Sequence, residues 1–356
     1  MRLLCVGDVA IAGDDLPKMD LLLPTNELKR DYLRVLFNWE LPMGRSVNPL
    51  PRTSGPRIIG NSAGAIAIKR WPQGFAALAN NHILDAEVAG LLETQTTLKE
   101  TGFIPFGAGF SQTAIQEPTV WNGPEGRLGI LNWVFPETHP EWGVIPGPNC
   151  WPGIDAGSQA IRELKKTVDW ILVAPHWGDE DFAYPTLTER TIARALIEAG
   201  ADLIIGHHPH VVRGMEMING KPVYYSLGNF YFSKIQDQQG NRIFKPVARN
   251  REALVISVTL KRGQRPELEA LSYWQGSNGT SPDRWARAVS RMKRVSRPLA
   301  KLSGPEYTDW YVKRRARFDR WEYRLHFSLQ QKGWKGVLQY PLVLLERHHS
   351  RISANN

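Results

Sequence analysis

Five times in the first 210 residues, a short and mostly apolar run ends beside a side chain able to bind a metal ion. Leu3–Val6 leads to Asp8, Tyr32–Phe37 to Glu40 and Phe75–Ala79 to Asn81. Trp170–Ala174 leads to His176, and Leu203–Ile205 to His208 and His210. Short apolar runs closed by polar residues read as buried strands, and strands alternating with helical spacing imply an α/β fold. In open α/β sheets the ligand crevice lies along the carboxyl edge of the strands, where these six donors fall.

The segments between the runs fit this plan. Asp85–Glu100 carries Val88, Leu91, Leu92 and Leu98 at helical spacing and stops at Gly102. Further strands are predicted at Phe103–Phe106, Leu128–Val134, Val223–Ser226 and Leu254–Leu260, and helices at Ser158–Thr167 and Thr188–Ala199. Pro136–Gly157, rich in Pro, Gly and Trp, has no periodicity and is expected as a loop over the site or the surface. Two cysteines, Cys5 and Cys150, exclude a disulfide framework and a thiolate metal site, and Cys5 reads as a small core residue. Carboxylate, amide and imidazole donors instead suit Mn, Fe or Zn.

A lone buried His or Asp is usually a hydrogen-bonded structural residue, but six in register at successive strand ends are hard to explain that way. They sit in the motifs Gly7-Asp8, Asn38-Trp39-Glu40, Asn80-Asn81-His82-Ile83-Leu84-Asp85, His176-Trp177-Gly178 and Gly206-His207-His208-Pro209-His210. In this order they resemble the motifs of calcineurin-like metallophosphoesterases. LANNHILD, APHWGDE, AGADLIIGHHPHVV and KPVYYSLGNF are similar to CapA-type proteins of capsule and poly-γ-glutamate biosynthesis. The resemblance runs from Arg2 to about Ser233 and more weakly to about residue 275.

It implies a four-layer αββα sandwich over residues 1–275 and a site for one or two divalent ions. Asp8 and His210 resemble ligands of the first ion and Glu40 the bridging carboxylate. Asn81, His176 and one of His207/His208 resemble ligands of the second; the Gly-His-x-His spacing favours His208 and leaves His207 behind it. His82 stands where the family places a general acid, with Asp85 as the carboxylate that orients it. Asn229 could touch substrate or a ligand histidine, or simply form a turn. Arg52 and Arg57 could pair with an anionic substrate or stay solvated, and Asp179 and Glu180 read as exposed charges. Two departures stand out: Ala10 replaces the histidine of the usual Asp-x-His motif, and Glu40 replaces an Asp.

The net charge of +9 belongs to the tail. Residues 281–356 hold 17 Lys and Arg against 6 Asp and Glu, and the other 280 residues hold 27 against 29. After the linker-like GSNGTSPD, this extension is expected to be helical, basic and aromatic, with Tyr307, Tyr311, Phe318, Trp321, Leu325 and Leu329 as one stripe. It could pack on the core, lie on an anionic membrane or contact a synthase, with nucleic acid the least favoured partner. With no secretory signal or membrane-spanning run in the sequence, the chain is expected in the cytoplasm, held at a membrane only peripherally. The functions implied are a metal-dependent hydrolase of an anionic small molecule or polymer, or a non-catalytic polymer-binding or assembly factor on the same fold.

Overall fold

Alternate residues of the first strand, β1 (Arg2–Ala10), face different surroundings, and this sets the layering. Leu3 and Cys5 pack with Leu128, Ile130, Leu172, Ala174 and Leu203 of a second sheet. Leu4 and Val6 pack with Leu91 and Leu98 of helix α1 (Glu87–Glu100). A strand buried on both faces needs an apolar residue at every position, which is why the runs are continuous. The computed structural model describes residues 1–12, 20–21, 23, 33–44, 56–236, 242–244 and 246–322.

The first sheet begins with β1, β2 (Asp20–Leu21), β3 (Leu33–Trp39), β4 (Gly74–Ala77) and β5 (Phe103–Phe106), with β1, β3, β4 and β5 adjacent and parallel. The chain then builds the second sheet from β6 (Thr119–Gly123), β7 (Gly126–Val134), β8 (Trp170–His176), β9 (Leu203–Ile205), β10 (Met215–Ile218) and β11 (Lys221–Tyr224). Their order is β10-β11-β9-β8-β7-β6, parallel from β7 to β11 with an antiparallel strand at each edge. It returns to the first sheet with β12 (Asn229–Phe232), β13 (Glu252–Thr259), β14 (Glu267–Gln275) and β15 (Gly279–Pro282). Helices α2 (Ile154–Lys165) and α3 (Leu187–Ala199) cover the outer face of the second sheet through Ile161, Leu164, Ile192 and Leu196. The result is an αββα sandwich, with the two sheets packed face to face and helices outside each.

Several expectations shift in detail. β1 continues through Asp8 to Ala10: after a register shift with β3 between Cys5 and Asp8, its last residues pair with β12, and Asp8 and Val9 pair with β3 as well. Pro136–Gly157 holds a short 3-10 turn at Pro136–Thr138 and the start of α2, and Trp151 stacks on Phe135 with centroids 4.9 Å apart. The linker-like segment contributes β15, paired to β14.

The described part of the extension is packed. Helix α4 (Arg287–Lys301) buries Ala288, Met292, Val295 and Leu299 and lies across β10, β13 and β14, so it touches both sheets. Helix α5 (Gly304–Arg317) anchors through Tyr307, fully buried, whose hydroxyl donates to Pro185 O at 2.6 Å beneath the Arg190 guanidinium. Leu325 and Leu329 lie outside the described residues. No helix among the described residues is long and apolar enough to cross a membrane.

Candidate metal centre

Asp8 reaches the site because residue 7 has no side chain. A Cβ on Gly7 would lie 1.7 Å from the Gly228 carbonyl oxygen, which instead accepts the Asp8 N–H at 3.0 Å. Glu40 follows β3 directly. The Asn38 amide ties the two carboxylates, donating to Asp8 Oδ1 at 2.8 Å and to Glu40 Oε2. Asn80 fixes Asn38 in turn, donating to its Oδ1 at 3.1 Å and to Trp39 O at 2.8 Å.

The second sheet supplies the imidazoles. His176 ends β8, with Nε2 2.9 Å from Asn81 Oδ1. His208 and His210 both have left-handed backbones, with φ of 95° and 57°. Such conformations cost non-glycine residues on the order of 1 kcal/mol each and gather at functional sites. His210 Nδ1 donates to Asn229 Oδ1 at 2.9 Å, leaving Nε2 toward Glu40. The Nε2 atoms of His82, His176 and His210 each lie 3.9 Å from Glu40 Oε1. His207 turns away, its Nε2 donating to Val6 O at 3.1 Å.

These donors suit a divalent cation. Glu40, His176 and His208 form one group whose ligand atoms all lie within 4.8 Å of one another, and Glu180, His208 and His210 form another. Among the described residues, Glu40 Oε1 and His176 Nδ1 are buried without a hydrogen-bond partner, a costly condition that at Glu40 Oε1 a cation would relieve. Burial and the neighbouring Asp8 charge push the Glu40 carboxyl up to about 8. Burial and the surrounding imidazoles hold His176 well below its usual range. Burial opposes charge on His210, yet Asp8 and Glu40 raise it to about 10. Asp8, against its own burial, is held below the usual carboxylate range by His210. The carboxylates and imidazoles of this pocket thus shift one another strongly, and their donor atoms converge as metal ligands do.

His82 Nδ1 lies 2.6 Å from Asp85 Oδ2, which also accepts the Ile58 N–H at 2.8 Å. Arg57 donates to Asp85 O at 2.8 Å, and Arg52 lies outside the described residues. Asp8 stands outside both donor groups, joined to them by Asn38 and by His210 Nδ1 at 3.4 Å. Two contributors were not foreseen. Asn132 Oδ1 accepts the Ala79 N–H and its Nδ2 donates to Ala174 O, each at 2.7 Å, stapling the two sheets beside Asn81 and His176. Glu180, read as a solvated charge, joins a donor group. An Asn inside a strand and an acid in a loop carry no periodicity that would mark them.

With this geometry in place, the comparisons are specific. The family model described as "Bacterial capsule synthesis protein PGA_cap" matches residues 3–234. The chain belongs to this family. The PGA_cap match spans every donor named above. The PGA biosynthesis protein CapA of Bacillus subtilis is 34% identical over 164 residues, covering 44% of this chain and 42% of that protein. The capsule biosynthesis protein CapA of Bacillus anthracis is 30% identical over 164 residues, covering 44% and 39%. The chain therefore spans less than half the length of these curated relatives. A 5'-nucleotidase precursor from Thermus thermophilus has 15% identity and a TM-score of 0.43, covering 85% of this chain and 60% of that one.

Proposed function

We propose that this PGA_cap protein is a metal-dependent hydrolase acting on an anionic substrate, a phosphate ester or an acidic polymer of the envelope. The observation that carries the reading is the convergence of three imidazole Nε2 atoms on the buried Glu40 carboxylate, each at 3.9 Å. In this reading Asn81, His176, His208 and Glu40 hold one divalent ion (Mn, Fe or Zn), and Asp8, Glu40 and His210 hold a second. Ions in such a site polarise a substrate oxygen and make hydroxide available near neutral pH.

The remaining roles belong to the protein. Asn229 fixes the His210 tautomer by accepting its Nδ1–H, as outer partners of metal-binding histidines commonly do. Asp85 holds His82 from the Nδ1 side, so His82 can present an Nε2 proton to a leaving oxygen. Burial, outweighing the nearby Asp8 charge, holds His207 below its usual range, and its ring braces the second sheet against Val6. The C-terminal helices offer outward cations for an anionic membrane or a synthase.

The test is a panel of phosphoesters and γ-linked glutamate oligomers assayed with Mn²⁺ and with chelator. Metal-dependent turnover of at least one member is expected; none across the panel would remove the hydrolase reading. A second reading, a non-catalytic assembly factor, is favoured by Ala10, which offers no ligand atom and packs among Leu41, Ile58, Phe232 and Ile235. Metal binding without turnover would select it.

A further inference from the structure

Ala10 stands where the related motif has a histidine, so the proposed site of Asp8 and His210 is one ligand short at that position, and Ala10 packs with Leu41, Ile58, Phe232 and Ile235 instead. A carboxylate arrives from elsewhere. Glu180, on the loop after β8, has an oxygen within 4.8 Å of ligand nitrogens on both His208 and His210, although the residue is exposed.

The backbone on either side of Glu180 is held independently of its own side chain. Asp179 O accepts from Arg213 Nη2 at 2.9 Å, and the Asp181 N–H donates to Pro209 O at 2.8 Å. The Asn250 amide bridges Asp181 Oδ1 at 2.9 Å and His210 O at 3.2 Å, tying this loop to the histidine turn itself. Arg315 of α5 pairs with the Asp179 carboxylate and adds a brace from the C-terminal extension. The loop adopts left-handed geometry at Gly178, φ 82°, and at Asp181, φ 60°. At Gly178 a Cβ would meet Arg213 Nη1 at 2.4 Å, so the clamp and the glycine require each other. A merely solvated acid needs no such clamp. Strain of this kind is retained where surrounding contacts over-determine a functional position.

We propose that Glu180 supplies the carboxylate ligand that the Asp8–His210 site lacks at position 10. This rests on the metal-centre reading above. Because Glu180 sits at the rim while the Glu40–His176–His208 group is buried, the two sites differ in solvent access, and the Glu180 site is the weaker.

The test is calorimetric titration of the full chain with Mn²⁺ alone, comparing wild type with Glu180→Gln at low and at high ionic strength. Thermal unfolding of both proteins serves as the folding control. Wild type should bind at two unequal sites. The variant should keep the tight site and lose ~10-fold or more in affinity at the weak one, the least that disturbing a ligand set costs. That loss should persist in high salt, where a through-space effect of an exposed charge is screened. An unchanged weak site, or a loss that vanishes in high salt, overturns the assignment while leaving the metal centre intact. A wild-type protein that binds no Mn²⁺ overturns both.

Discussion

His82 is held from one side and faces the donors on the other: Asp85 Oδ2 lies 2.6 Å from Nδ1, and Glu40 Oε1 lies 3.9 Å from Nε2. In the proposed function a residue placed this way hands a proton to the leaving oxygen beside the metal ligands. His82→Ala should therefore reduce turnover by ~10²–10⁴-fold, the range for losing a general acid, and leave Mn²⁺ affinity nearly unchanged. Parallel kinetics and titration check this, and a proportionate fall in metal affinity would mark His82 as a ligand instead. The reduction should be smaller for substrates with good leaving groups, which need less protonation. At this scale the sequence was legible wherever a donor ended an apolar run, as at Glu40 and His176, because burial and polarity change there together. Asn38, Asn132 and Asn250 were not legible, since an amide's role depends on which distant backbone it meets. Glu180 is exposed, as its loop sequence implies, but its closeness to His208 and His210 was not legible, since exposure in a loop says nothing of what the loop is pressed against.

At the scale of elements, the strands and helices of the two parallel sheet regions follow from continuous apolar runs and amphipathic spacing. β10, β14 and β15 escaped because they mix polar with apolar residues: β10 lies at the edge of the second sheet, and β14, although flanked by β13 and β15, is only partly buried over most of its length. The extension carried two signals, charge and aromatics, and packing had to decide between them. Its aromatic residue Tyr307 is fully buried, with its hydroxyl on Pro185 O and Arg190 over its ring. Tyr307→Phe strands that carbonyl and should cost about 1–2 kcal/mol. Tyr307→Ala also leaves a cavity and should cost about 3–5 kcal/mol. Denaturant unfolding of the full chain reads both. Equal stability of all three proteins would show that α5 does not help hold the fold.

Across the whole molecule, the site exists because the carboxyl edges of two sheets are brought into register, and two side chains hold that register. His207 spans from the second sheet to Val6, and Asn132 spans from Ala79 to Ala174. Asn132→Ala leaves a buried N–H and a buried carbonyl without partners, a cost of about 2–4 kcal/mol. It should also weaken Mn²⁺ binding although Asn132 is no ligand, and stability lost with metal affinity intact would sink this account of the staple. The central claim, that the strand-end donors form a metal centre, is tested most directly by a crystal structure of the chain grown with Mn²⁺, using the anomalous signal to place the ions. The account predicts an ion among Asn81, Glu40, His176 and His208 with donors at ~2.0–2.3 Å, near the usual N/O range, and a second, less occupied ion beside His210. A map with no anomalous peak at Glu40, from crystals in which the ion is bound elsewhere or nowhere, would contradict it.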